Sequence, residues 1–129
     1  MIKLNSKFVL TLLAGAGLGF AASSAIHAQQ TKPAPGYAVA EIEVTDPAGW
    51  QKYVQALPAT LAPFNARTII RAKPQAVEGD APKAFALIAF DNVEAVRSWY
   101  NSPAYQAIIP LRTSSAKTTA FIVEGLPPQ

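Results

Sequence analysis

The stretch AFALIAFDNVEAVRSWYNSPAYQAIIPLR, residues 84–112, carries the fold in miniature. Its first seven residues alternate Phe85, Leu87 and Ala89 with Ala86, Ile88 and Phe90, so both faces of a strand are apolar. Asp91-x-x-Glu94 then has a capping-box pattern, which predicts a helix with Val93, Val96, Trp99 and Tyr100 as its buried stripe. Ser102-Pro103 restarts a helix by a cap followed by a proline at the first helical position. Tyr105, Ile108, Ile109 and Arg112 share the face of that second helix turned toward the sheet.

Upstream, Tyr37 to Val44 alternates as a strand, with Ala38, Ala40, Ile42 and Val44 on one face and Tyr37, Val39, Glu41 and Glu43 on the other. Asp46-Pro47 predicts the start of a helix carrying Trp50, Tyr53, Val54, Leu57, Leu61 and Phe64, with a kink at Pro58 where the bond to Val54 is lost. Thr68 to Ala72 reads as a second strand, Lys73 to Pro82 as a wide turn and Thr118 to Glu124 as the last strand. The order is β-α-β-β-α-β, which is an α+β, ferredoxin-like fold with one antiparallel sheet and its helices on one face.

That topology leaves the other face of the sheet uncovered, yet the third strand is apolar on both sides and the fourth sets Ala120 and Ile122 against Phe121 and Val123. A second copy of the same sheet is the expected cover, so a homodimer packed face to face is predicted.

The chain has 129 residues, 50% hydrophobic and 15% charged, enough for one folded domain. Lys3 and Lys7 precede fifteen uncharged residues, Phe8 to Ala22, and then come Ser23-Ser24-Ala25 and Ile26-His27-Ala28. Basic, apolar and small-residue regions in that order are the layout of a secretory signal peptide, 1–28, with cleavage after Ala28 or Ala25. A bilayer span needs about 20 apolar residues, and this run is shorter and contains Gly15, Gly17 and Gly19. The expected location is therefore the bacterial periplasm, with no membrane attachment after cleavage. Residues 29–35 form a proline-rich spacer, 36–125 the domain, and 126–129 a tail.

Cleavage after Ala28 removes two of the 11 basic residues and none of the eight acidic ones, so the net charge falls from +3 to +1. His27 goes with it, leaving neither His nor Cys. Thiolate or histidine metal sites, thiol nucleophiles and a Ser-His-Asp hydrolase are excluded, and a nucleic-acid partner loses its electrostatic basis. No metal and no cofactor is expected. The acidic stretch Glu78-Gly79-Asp80 is too short to hold a hard cation.

The strings GYAVAEIEVTDPAGWQKY, VEGD, FDNVEAVRSWYNSPAYQAIIPLR and TTAFIVEG resemble the family called domain of unknown function 1330, over Gly36 to Gly125. The most specific part is Trp99-Tyr100-x-Ser102-Pro103-x-Tyr105, with Arg112 seven residues on. The resemblance implies a dimeric α+β barrel, the fold shared by cofactor-free quinone-forming monooxygenases, muconolactone isomerase and chlorite dismutase. It implies no particular reaction. Where the family usually has a Gly-Gly pair after the first helix, this chain has Asn65-Ala66, and Asn tolerates the left-handed turn. The leader departs from the many members that lack one. The absence of a mature His also removes the proximal haem ligand of the chlorite dismutase relatives.

The candidate site follows from the charges and aromatics of the helical stripes. A guanidinium facing a sheet needs an anion or a carbonyl, so Arg112 is either a structural ion pair with Glu41 or Glu43, or the anchor of a carboxylate or enolate ligand. Trp50, Tyr53, Trp99, Tyr100 and Tyr105 are either core aromatics or, with Arg112, the lining of a pocket for a planar phenolic ligand. Glu41 and Glu43 share a strand face and are either exposed or salt-bridged, or placed for proton transfer, with Glu41 the candidate acceptor. Ser102 reads as a helix cap and also stands beside the candidate ligand-binding set. Two functions remain open: a small-molecule protein, either a binder or a cofactor-independent oxygenase or isomerase using Arg112, Tyr105 and Glu41, and a non-catalytic dimeric module binding a polypeptide.

Overall fold

The computed structural model describes residues 32–129. The leader 1–28 and the first residues of the spacer lie outside them. The elements are β1 (Gly36–Val44), α1 (Pro47–Leu61), a 3₁₀ turn (Ala62–Phe64), β2 (Arg67–Ala72), β3 (Ala84–Phe90), α2 (Val93–Tyr100), α3 (Pro103–Thr113) and β4 (Ala116–Glu124). The four strands form one antiparallel sheet in the order β2-β3-β1-β4. This is the ferredoxin-like α+β arrangement expected from the alternation of strand and helix patterns.

Local chemistry explains the boundaries. Ser102 caps α3 by accepting a hydrogen bond from the Tyr105 backbone N–H at 3.3 Å, and it donates to the Trp99 carbonyl at 2.7 Å. The α2 cap differs from the expected capping box. Asn92, not Asp91, holds the N-cap position and accepts from Ala95 N at 2.8 Å. Strand β3 runs to Phe90, and Gly36 packs so closely on Asn92 that a Cβ there would collide with the Asn92 carbonyl. The helix therefore starts one residue later than the Asp91 register, and Asp91 accepts from Asn65 Nδ2 at 3.4 Å instead. Asp46 occupies the α1 cap position without a side-chain cap bond. Its backbone N–H and that of Thr45 donate to the Ser115 carbonyl, tying the end of β1 to the end of α3. Helix α1 runs through Pro58 to Leu61, and Asn65 takes the left-handed conformation at φ 51°.

The core lies between α1, α2 and the sheet. Leu57, Leu61, Ile88, Phe90, Val96 and Trp99 are buried together, with Val96 fully inaccessible. Tyr100, expected in the buried stripe, lies 38% exposed at the end of α2.

Val39 pairs with Leu87 on one side and Phe121 on the other, on the sheet face turned away from the helices. That face stays apolar at its edges, where Ile70, Phe121 and Val123 are each about two-fifths exposed. No helix of the described residues is long and apolar enough to cross a membrane.

Candidate functional site

The register of the sheet makes the site. Arg71 of β2 pairs with Ala86 of β3, Ala86 with Ala40 of β1, and Ala40 with Ala120 of β4. One row across all four strands thus presents three methyl groups and a guanidinium to the helix layer. The neighbouring row, Thr68, Ile88, Ala38 and Ile122, again has an alanine on the central strand. Side chains this small cannot fill the space between sheet and helices, so a hollow remains where the core would otherwise continue.

That hollow has two lobes. The larger, about 190 Å³, is floored by Ala38, Ala40, Ala86 and Ala120 and walled by Trp99, Tyr100 and Tyr105. The smaller, about 80 Å³, lies among Trp50, Leu57, Thr68, Arg71 and Thr118. Tyr53 and Arg112 line both and stand at their junction.

The aromatics are held by one another and by hydrogen bonds from their polar ends. The Trp99 and Tyr105 rings lie 3.9 Å apart between centroids, and Tyr100 follows at 5.5 Å from Tyr105. Trp99 Nε1 donates to Thr60 Oγ1 at 3.0 Å, and Thr60 in turn donates to the Leu57 carbonyl. This fixes the indole wall. The Tyr53 and Tyr105 hydroxyls are 3.1 Å apart in a buried hydrogen bond. Burial pushes the Tyr53 phenol far above its ordinary value, and the adjacent Tyr105 hydroxyl adds to the shift. Arg112 and Arg71 oppose it without reversing it. Tyr53 is therefore a neutral phenol that shares a hydrogen bond with Tyr105.

Arg112 forms no ion pair among the described residues. Its Nη1 donates to Thr118 Oγ1, on the row beside the alanines, and its Nε is buried with no hydrogen-bond partner. Among the described residues the single ion pair joins Arg97 and Glu94 on the surface of α2. Neither Glu41 nor Glu43 reaches Arg112, because both leave β1 on the opposite face, where they flank a shallow polar depression beside Lys83 and Lys117. The structural alternative for Arg112 is thus a bond to a threonine hydroxyl, which leaves the charge uncompensated.

The structure brings together Tyr53, Trp99, Tyr100, Tyr105 and Arg112 from the expected set. It does not bring Glu41 to them, and it places Ser102 at the α3 cap rather than at the cavity. Arg71, Thr118 and the alanine row were not anticipated. The sequence held a signal for the alanines, since the helix-facing set of each of the three longest strands contains one. Their alignment depends on strand register, which no single strand reveals.

The model of the family described as "Domain of unknown function (DUF1330)" matches residues 35–126. The chain belongs to that family. No curated protein matches the sequence. Among solved structures, a protein of unknown function from Rhodopseudomonas palustris superposes with a TM-score of 0.60 at 10% identity, covering 74% of this chain and 85% of the other. SnoaB, a cofactor-independent oxygenase from Streptomyces nogalater, superposes at 0.53 and 12% identity, covering 74% and 96%. A dimeric ferredoxin-like protein of unknown function from Thermobifida fusca superposes at 0.52 and 13%, covering 72% and 92%. At these identities the likeness is one of fold, and within the DUF1330 family the chemistry of this member must be argued from its own cavity.

Proposed function

We propose that this DUF1330 protein is an exported homodimer whose cavity binds a planar phenolic or enolic molecule and holds it as an anion. The observation that carries the reading is the buried, unpartnered Nε of Arg112 at the edge of an apolar hollow, beside the hydrogen-bonded Tyr53 and Tyr105 hydroxyls. A buried donor on a permanent cation has a large desolvation cost unless an acceptor meets it, and an oxyanion meets it best. The aromatic walls and alanine floor suit a flat ring, and a cavity of about 190 Å³ is close to the roughly 150 Å³ that holds one benzene.

Holding a phenol or enol as its anion prepares an electron-rich carbon, and the donors are in place before charge develops. We assign the protein to cofactor-independent oxygenase or isomerase chemistry on this basis, with Arg112, Tyr53 and Tyr105 binding the oxyanion. The fold it shares with SnoaB is consistent with that class. The hollow is not filled by the protein's own side chains, which favours a small ligand over a module that only docks polypeptides.

Export rests on the basic, apolar and small-residue order of residues 1–28. Dimerisation through the open sheet face rests on its apolar residues, and it matches the dimeric state given for the Thermobifida fusca protein.

Native mass spectrometry of protein purified from its own periplasm tests the whole reading. The expected spectrum is a dimer of chains lacking residues 1–28, with a retained ligand of one-ring size. A ligand-free monomer that binds none of a panel of phenols and enolisable ketones overturns it.

A further inference from the structure

Resting on that reading, we propose that the ligand carries a permanent carboxylate next to its phenolic or enolic oxygen, and that Arg71 and Arg112 hold this carboxylate in the smaller lobe. The substrate class is therefore a one-ring hydroxy acid of the 2-hydroxybenzoate type or its enolic equivalent.

The sheet register places Arg71 at the end of the alanine row, on the helix-facing side, so its guanidinium borders the same hollow as Arg112. Two cations thus line the smaller lobe, with the hydroxyls of Thr68 and Thr118 also on its wall. No Asp or Glu lines either lobe, and neither arginine belongs to an ion pair among the described residues. Two like charges around one apolar pocket repel each other until an anion enters, and a carboxylate offers the two acceptor oxygens that guanidinium groups match.

Size separates the parts of the ligand. The larger lobe takes one ring. The smaller, at about 80 Å³, exceeds the roughly 30 Å³ share of a water molecule and falls well short of a ring, which suits a carboxylate. Arg112 and Tyr53 at the junction then meet the neighbouring oxygen of the ring, which requires the two oxygen groups to be adjacent on the ligand.

The test is a matched pair of probes, 2-hydroxybenzoate and its uncharged analogue 2-hydroxybenzamide. Each is titrated against the full mature protein and its Arg71→Gln and Arg71→Lys variants by calorimetry. The wild-type protein is expected to prefer the acid by about tenfold or more, the scale of one charge-assisted hydrogen bond. Arg71→Gln is expected to remove most of that preference by weakening the acid far more than the amide, and Arg71→Lys to restore part of it. Arg71 is exposed at the end of β2, so folding is not at stake. Equal affinity for both probes, or a preference that survives Arg71→Gln, overturns the carboxylate assignment and leaves the phenolic pocket standing. Binding of neither probe, nor of any neutral phenol, overturns the pocket itself.

Discussion

The space between helices and sheet is built in two ways within one layer. At one end Leu61, Phe90 and Val96 are buried together and packed with Trp99, which also walls the hollow. At the other, Ala86, Ala40 and Ala120 stand in a row and leave a hollow around a charged side chain. Both ends use the same strands and helices, so side-chain volume rather than backbone separates the part that holds the fold from the part that can take a ligand. A protein needing only stability would fill the second end as it fills the first.

The largest effect expected from breaking this contrast is at the packed end. Phe90 is buried beside Trp99, with ring centroids 5.3 Å apart, so Phe90→Ala is expected to cost about 3–5 kcal/mol in denaturant unfolding. Because Trp99 also walls the larger lobe, ligand affinity should fall too, but by less than about tenfold, at temperatures where the variant remains folded. A small stability loss, or an affinity loss as large as that of a change inside the hollow, would contradict the division of the layer.

Alkaline pH gives the next largest effect. The Tyr53 phenol is held neutral above its ordinary pKa of 10.0, so above pH 10 the unfolded chain releases a proton that the folded chain keeps. Stability from this group is complete below that pH and declines above it, by at most about 1.4 kcal/mol per pH unit. Tyr53→Phe should flatten this part of the stability curve when both proteins are unfolded in urea between pH 9 and 11. An equally steep decline in the variant would show that Tyr53 does not set the alkaline loss of stability.

Arg112 sharpens the comparison from the hollow end. A half-buried charge with no ionic partner and an unpartnered buried Nε adds little to stability, so Arg112→Met is expected to leave stability unchanged or to raise it by about 1 kcal/mol, while ligand affinity falls at least tenfold. A loss of several kcal/mol would instead mark Arg112 as a structural group bound to Thr118.

The order of elements was legible in the sequence because each carries its own signal: two-residue alternation in β1 and β3, and Ser102-Pro103 before α3. The Asp91 cap was misplaced by one residue because the start of α2 depends on where β1 packs, through Gly36 against Asn92. Tyr105 and Arg112 were legible as one helical stripe facing the sheet, and the other aromatics as parts of the stripes of the preceding helices. Glu41 was drawn toward them by composition alone, since an arginine invites a carboxylate, whereas strand alternation turns it to the far face. Arg71 and the alanine floor depend on register between strands distant in sequence, including the β-bulge between Thr68 and Ile70 that sets which side Arg71 takes.

The smallest stability effect is expected where a side chain is enlarged on the floor of the cavity. Ala40 lies at the middle of the row that floors the cavity, and Ala40→Leu adds three carbons where space exists. Overpacking a filled core costs about 1–3 kcal/mol, so here the change should stay below about 1 kcal/mol. Calorimetric titration of 2-hydroxybenzoate into wild type and Ala40→Leu, beside their urea unfolding curves, makes the measurement. Matched stability and at least a tenfold loss of affinity are expected in the variant. Undiminished binding by Ala40→Leu, or stability lost as in a filled core, would contradict a ligand-binding hollow above the alanine row.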